Sequence, residues 1–341
     1  MIVEPIITGV IKWQPEDFEV YEVLGFKPSG HGEHLMVQVE KRQINTHDVV
    51  RRIAKATGVA EREIGCCGLK DKQAVATQWF SVPDPLQGLS GWRDLDDDRI
   101  RVVTMARHNR KLRRGAHIGN RFRIRVRELA GNRERTDECL RSVDAGGVPN
   151  FFGPQRFGRS NLGNADELFK GRLKRVSRSR RGILISAARS SLFNEVLARR
   201  VRDEDWNELH PGDAAVLDGS NSFFRVDAVD ATLQHRLKTF DIHPSGPLFG
   251  AGENLVAGRV AELEADVFDL LRHRCQGLIK FGLRMERRSL RLRVQGLEWT
   301  WPSDDELLIS FELPRGGYAT SVLGFIGQLD EPPRHNAGKN E

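Results

Sequence analysis

Residues 101–127 read RVVTMARHNRKLRRGAHIGNRFRIRVR. Phe122, Ile124 and Val126 alternate with Arg123, Arg125 and Arg127. In a strand of period two, this puts three guanidiniums on one face and apolar groups on the other. A second strand is expected near Ile100–Met105. Arg107, Arg110, Lys111, Arg113 and Arg114 crowd the turn between the two.

Upstream, the same period places strands at Ile6–Lys12, Phe18–Val23 and His34–Lys41, the last with Leu35, Val37 and Val39 on one face. Gly25, Pro28, Gly30 and Gly32 mark a long turn between the second and third. Asn45 or Thr46 caps a helix through Val49, Val50, Ile53 and Ala54, which Gly58 stops. Trp79–Val82 reads as a strand ended by Pro83 and Pro85. Downstream, a helix from about Arg133 to Val143 ends at Gly146 and Gly147. Strands and helices in this mixed order predict an α+β fold rather than a βαβ array. Beyond them, VPNFFGPQRFGRSNLG (148–163) has no helical period. Helices such as Ala187–Val201 follow, and then Leu307, Ile309 and Phe311 alternate before a turn at Pro314–Gly317.

A chain of 341 residues suits two domains, or one domain carrying a large insertion. It contains no run of about eighteen apolar residues, so no membrane span is expected. The start, MIVEPIITGVIKWQPEDF, lacks a basic region followed by a long apolar core and does not read as a signal peptide. The four cysteines, Cys66, Cys67, Cys139 and Cys275, form no C-x-x-C pair. They read as reduced thiols of a cytoplasmic protein, and zinc-ligand spacing is absent.

The net charge is +6, and its distribution says more than its size. Window 101–127 holds ten Arg or Lys and no acid. KGRLKRVSRSRR (170–181) holds seven and no acid, and RMERRSLRLR (284–293) is a third basic run. One such run reads as a solvated face. Three of them repel unless a polyanion compensates, which favours RNA or DNA as a partner.

P-loop, dinucleotide, H-E-x-x-H and G-x-S-x-G motifs are all absent, so the chemistry expected needs no cofactor and no metal. GLKDKQAVATQWF (68–80) sets one acid, Asp71, between Lys70 and Lys72. Flanking cations favour its ionised form. Two readings stand at this point, a solvated turn or a reactive carboxylate able to act as a nucleophile. PNFFGPQRFG (149–158) combines Asn150, Gln155 and Arg156 with Phe151, Phe152 and Phe157. That is a kit for holding an unstacked base, or an aromatic cluster packing a domain junction.

Lys12 with Pro15-Glu16-Asp17-Phe18, GLKDK (68–72), VPNFFGPQRFG (148–158) and PRGGYATSV (314–322) together resemble the TruD family of tRNA pseudouridine synthases. LGFKPSGHGEHL, ARHNRKLRRGAHIGN and SAARSSLFNEV extend the similarity nearly end to end. The family pattern K-D-K-x-A-x-T-x-Q is broken at one position, where Ala76 replaces threonine and Thr77 follows.

The resemblance implies a pseudouridine synthase catalytic domain with a mixed, mostly antiparallel sheet flanked by helices, at 1–157 and 300–330. It implies an inserted α/β TRUD domain at 158–299, and the polar tail at 331–341 is expected to be disordered. It also implies an isomerase, an intramolecular transferase converting uridine 13 of transfer RNA to pseudouridine without cofactor or obligatory protein partner. Asp71 falls on the catalytic aspartate. Lys12, Phe18, Asn150, Phe152 and Tyr318 fall on positions lining the uridine pocket. Lys70, Lys72, Arg107, Arg110, Lys111, Arg113 and Arg156 are the expected RNA contacts. The alternatives are the same chemistry at another RNA site, or a non-catalytic RNA-binding protein or tRNA-folding chaperone.

Overall fold

The computed structural model describes residues 5–83, 92 and 95–332. The expected strand end at Pro85 and the tail beyond Pro332 lie outside the described residues. The chain divides into two compact units, residues 1–144, 294–319 and 326–341 in the first, and 145–293 with 320–325 in the second.

The first unit begins with strands β1 (Ile7–Val10), β2 (Phe18–Leu24) and β3 (His34–Arg42). Helix α1 (Thr46–Thr57) follows, with Asn45 extended at its N-cap and Gly58 closing it at φ 71°. That left-handed conformation costs glycine little. Strands β4 (Gly65–Cys66), β5 (Val75–Pro83), β6 (Ile100–His108) and β7 (His117–Gly131) come next, then helix α2 (Arg133–Gly146). Both basic-window strands run longer than the sequence suggested, because pairing partners extend the ladder past the alternating core.

The second unit contains β8 (Val148–Pro149), α3 (Pro154–Phe157), α4 (Asn161–Phe169), the long α5 (Arg178–Arg202), β9 (Ala214–Leu217) and β10 (Phe223–Arg225). It continues through α6 (Ala231–Lys238), β11 (Ile242–Leu248), α7 (Gly258–Leu270), α8 (Arg272–Lys280), β12 (Glu286–Ser289) and β13 (Arg291–Leu292). Four strands form the antiparallel sheet β10-β9-β11-β12. Helices α4, α5, α7 and α8 share a core of Leu184, Ala188, Leu192, Val267 and Leu278.

Strands β14 (Gln295–Ser303) and β15 (Glu306–Pro314) return the chain to the first unit. Helix α9 (Ala319–Ile326), whose residues 320–325 belong to the second unit, and β16 (Gly327–Asp330) of the first follow. The large sheet has ten strands, ordered β14-β15-β7-β2-β5-β3-β6, with β1, β16 and β4 off this path. All its pairings are antiparallel except β2 with β5 and β1 with β16. Val49, Val50 and Ile53 of α1 pack on Leu35, Val37, Val39 and Phe80. Burying a side chain such as Ile53 contributes about 2 kcal/mol.

The division at 144/145 and 293/294 differs from the boundaries expected at 157/158 and 299/300. The reason is local pairing. β8 is an antiparallel partner of β13, and Asn150 N–H donates to Leu290 O at 2.8 Å. The 148–157 segment is therefore hydrogen-bonded into the second unit.

The β7 half of the first basic window and part of the third are neutralised from within. On β7, Arg121 pairs with Glu312, Arg123 with Glu19, Arg125 with Glu306, and Arg127 with Asp17 and Glu306, at 2.5–3.0 Å. In the third window Arg287 is buried against Glu264 at 2.8 Å, and Arg291 donates to the carbonyls of Leu237 and Ile242. For the β7 arginines and Arg287 the fold itself supplies the acids, so these cations need no polyanion. Their acids come from neighbouring strands and helices far away in sequence.

Candidate active site

In the first unit the strand register gathers the site. Phe18 opens β2, opposite Ile124 of β7. Its parallel neighbour β5 begins at Val75, opposite Glu19. Lys41 and Arg42 end β3 opposite Ala76 and Val75. The loop before β2 (Lys12), the loop before β5 (Asp71) and the end of β3 (Lys41) therefore meet at one end of three adjacent strands.

The loop carrying Asp71 is clamped by Thr46 of α1 and Gln78 of β5. Thr46 Oγ1 accepts from the Lys70 N–H at 3.1 Å and donates to Gln78 Oε1 at 3.0 Å, and Gln78 Nε2 donates to Gly68 O at 3.4 Å. The Lys70 ammonium turns inward, 2.8 Å from Glu22 Oε1 and 2.8 Å from Asn120 Oδ1. The Gln73 N–H donates to Asp71 Oδ1 at 3.1 Å, which tightens the turn.

Asp71 itself stays partly exposed, and its Oδ2 accepts from Lys12 Nζ at 2.7 Å. Burial opposes its ionisation. The Lys12 ammonium, the Gln73 N–H and the Lys41 charge outweigh burial and hold the carboxyl below its ordinary range. Burial likewise pulls Lys12 down, but its hydrogen bonds to Asp71 and Glu331, both 2.7 Å, leave it raised. The Lys12 ammonium also lies 4.8 Å from the centroid of the buried Phe18 ring.

Lys41 also reaches this loop, although its sequence position does not announce it. It is fully buried, and its ammonium donates to Ile44 O at 2.8 Å and to Asp71 O at 2.7 Å. Burial lowers its pKa to about 8, opposed by Asp71 and reinforced by Lys70. The one available signal is parity: Lys41 follows Leu35, Val37 and Val39 on the apolar face of β3. Glu22 is a parallel case, since it follows Phe18 and Val20 on the buried face of β2.

Of the expected pocket residues, Lys12, Phe18 and Asp71 come together. Tyr318 is half-buried in the turn between β15 and α9 of the same unit. Asn150 and Phe152 belong to the second unit. The Asn150 amide donates to Ser289 O at 2.9 Å and accepts from Arg288 at 2.6 Å. The Phe152 backbone is held at both N–H and C=O by Asn194. The guanidiniums of Arg288 and Arg156 lie 4.3 and 5.2 Å from the centroid of its ring.

The expected RNA contacts divide. The Lys70 cation is buried on Glu22 and Asn120. Arg156 donates to Ser186 Oγ at 3.0 Å besides lying over Phe152, so it is largely committed within the fold. Lys111 donates to Arg62 O at 2.6 Å. Lys72, Arg107, Arg110 and Arg113 are exposed, Arg107 with a bond to Gly32 O. Lys111, Arg113, Arg114, Arg62 and His47 share a cleft of about 610 Å³.

Glu22, Cys67 and His117 offer ligand atoms within 4.8 Å of one another. A metal fits poorly there. Lys70 already supplies the cation, and burial pushes the Cys67 thiol up to about 12, which keeps it protonated.

Comparison with known proteins places the chain. A family model described as "TruD: tRNA pseudouridine synthase D (TruD)" matches residues 2–164 and 160–324. The chain is 43% identical over 324 residues to tRNA pseudouridine synthase D of Methylococcus capsulatus, covering 94% of this chain and 92% of that protein. It is also 43% identical over 336 residues to the protein of the same name from Nitrosococcus oceani, covering 96% and 92%. The solved structure of the putative tRNA pseudouridine synthase D of Methanosarcina mazei shares the fold, with a TM-score of 0.76 at 20% identity over 96% of this chain and 95% of that one.

Proposed function

Because the chain belongs to the TruD family of tRNA pseudouridine synthases, we propose that it isomerises uridine 13 of transfer RNA to pseudouridine, with Asp71 as the reacting carboxylate. The reaction breaks the N1–C1′ bond, turns the base and joins C5 to C1′. N1 gains a proton and C5 loses one, so no atom is added overall and no electron acceptor is needed. The uridine is first turned out of its stack, at a cost of a few kcal/mol.

One observation carries the reading. Asp71 is partly exposed and kept ionised on a loop held through Gly68 O, the Lys70 N–H and the Gln73 N–H, 2.7 Å from the Lys12 ammonium. A held anionic oxygen of this kind can attack the nucleoside, or stabilise positive charge growing on the ribose. Lys12 and Phe18 would orient it, and Tyr318 would bound the base. The domains proposed for these roles are a catalytic domain and an inserted TRUD domain.

Transfer RNA is the partner under this reading, and the cytoplasm the compartment. No helix among the described residues is long and apolar enough to cross a membrane. Arg107, Arg110, Arg113 and Lys72 offer phosphate contacts in the first unit. In the second, Lys174, Arg175, Arg178, Arg180 and Arg181 are exposed. No ion pair among the described residues engages those five.

The test is tritium release from transfer RNA carrying 5-³H-uridine. Asp71→Asn should lower the rate by at least on the order of a thousandfold while RNA binding persists. Release at the wild-type rate would remove Asp71 from the reaction. Sequencing of pseudouridine in cells lacking the gene should show the loss at position 13 of transfer RNA, and loss at another site would reassign the target.

A further inference from the structure

We infer that Lys41 is a positioning residue for Asp71. Its ammonium, sealed beneath the loop, fixes the Asp71 main chain and supplies positive charge under the carboxylate. The inference rests on the reading of Asp71 as the reacting group, and deepens it.

A buried ammonium is normally paired with a carboxylate, because its desolvation is otherwise uncompensated. Lys41 has no such ion pair among the described residues. Its hydrogen-bond acceptors are two neutral carbonyls, Ile44 O and Asp71 O. The charged groups acting on it are Asp71, which favours its charge, and Lys70, which opposes it, both on the same loop. A neutral side chain could fill that apolar slot at far less cost. Keeping a cation there makes sense if the cation acts on its neighbour.

The geometry gives it two tasks. Through Ile44 O it holds the turn entering α1, where Thr46 binds the Lys70 N–H and Gln78. Through Asp71 O it holds the residue itself. Lys12 grips the carboxylate from one side and Lys41 grips the backbone from beneath, so the oxygen presented to a nucleoside has little freedom. The role also sets a pH dependence, since burial leaves Lys41 able to lose its proton near pH 8. Lys12 is raised and keeps its proton there.

Single-turnover rates at saturating transfer RNA test this. The wild-type rate should fall above about pH 8, tending to tenfold per pH unit. Lys41→Met should slow the step at pH 7 by at least about thirtyfold, with RNA affinity within about twofold of wild type. Lys41→Arg, which keeps the charge, should recover part of the rate and move the alkaline limb upward.

Lys41→Met at the wild-type rate would overturn the inference, and so would a wild-type profile flat beyond about pH 9.5. If Lys41→Met does not fold, the wild-type profile and Lys41→Arg decide. An inactive Asp71→Asn beside a normal Lys41→Met would sink this inference alone. An active Asp71→Asn would sink the reading beneath it.

Discussion

The Lys12 ammonium lies 2.7 Å from Asp71 Oδ2, and the Lys12 backbone is left-handed at φ 56°. That conformation costs a non-glycine residue on the order of 1 kcal/mol and persists only where surrounding structure enforces it. Here it turns the Lys12 side chain inward over Phe18 while Trp13 remains exposed. Lys12→Met should let the Asp71 carboxyl rise toward its ordinary range. It should slow isomerisation on the order of a hundredfold, with RNA affinity little changed. Tritium release and filter binding on the same variant separate the two effects. Equal losses in both would make Lys12 an RNA contact instead.

The acid side of the pH profile follows from the same pair. The folded-state pKa of Asp71 is depressed, so the ion pair's contribution is complete above the ordinary carboxylate range and is lost as pH falls through the folded value. The lowering places that loss below the ordinary value of 3.8. Between about pH 5 and pH 7 the single-turnover rate should therefore be flat. A limb centred near pH 6 would point to a histidine in the reaction.

Strand alternation made much of the fold legible. β2, β3 and β7 show period two, and α1 has Asn45 at its N-cap position and is closed by Gly58. The lone acid of the GLKDK stretch was legible too, because its type and setting are unusual. What escaped was direction. Lys70 and Lys72 look alike in sequence, yet one is buried on Glu22 and the other is exposed. A loop has no period to say which way a side chain turns. The arginines of β7 misled for a related reason. Their partners Glu19, Glu306 and Glu312 sit on other strands, invisible to any local count of charge. Lys41 was hidden by its type, since a lysine on an apolar parity is easily taken for a strand end.

That asymmetry between Lys70 and Lys72 is measurable. Lys70→Met leaves Glu22 buried without its cation, and should destabilise the fold by about 3–5 kcal/mol. Lys72→Met should leave the melting temperature within about a degree and instead lower the salt dependence of RNA binding. Thermal unfolding of both variants checks this. An unchanged melting temperature for Lys70→Met would mean that Lys70 is not the counter-ion of Glu22.

The arginines of β7 and those around the start of α5 should behave differently toward RNA, because among the described residues the first are matched by acids and the second are not. On β7, Arg123 is held by Glu19 at 3.0 Å, and its neighbours are held likewise. Binding a phosphate there would require breaking an ion pair, so Arg123→Gln should change RNA affinity by less than about threefold. Around the start of α5, Arg178 and Arg181 are exposed, and the first helical turn holds no acid. Cations there also oppose the positive end of the helix dipole, a small cost that phosphates would relieve. Arg178→Glu with Arg181→Glu should therefore weaken transfer RNA binding by at least about tenfold at low salt. It should also reduce the slope of log affinity against log salt by about 0.7–0.9 for each phosphate that is no longer neutralised. The rate at saturating RNA should stay close to wild type, since neither residue is near the Asp71 loop in sequence or shares its hydrogen bonds. Should the β7 variant show the larger loss and the α5 variant none, the RNA backbone would lie along the sheet arginines, and the cross-strand pairs would open on binding.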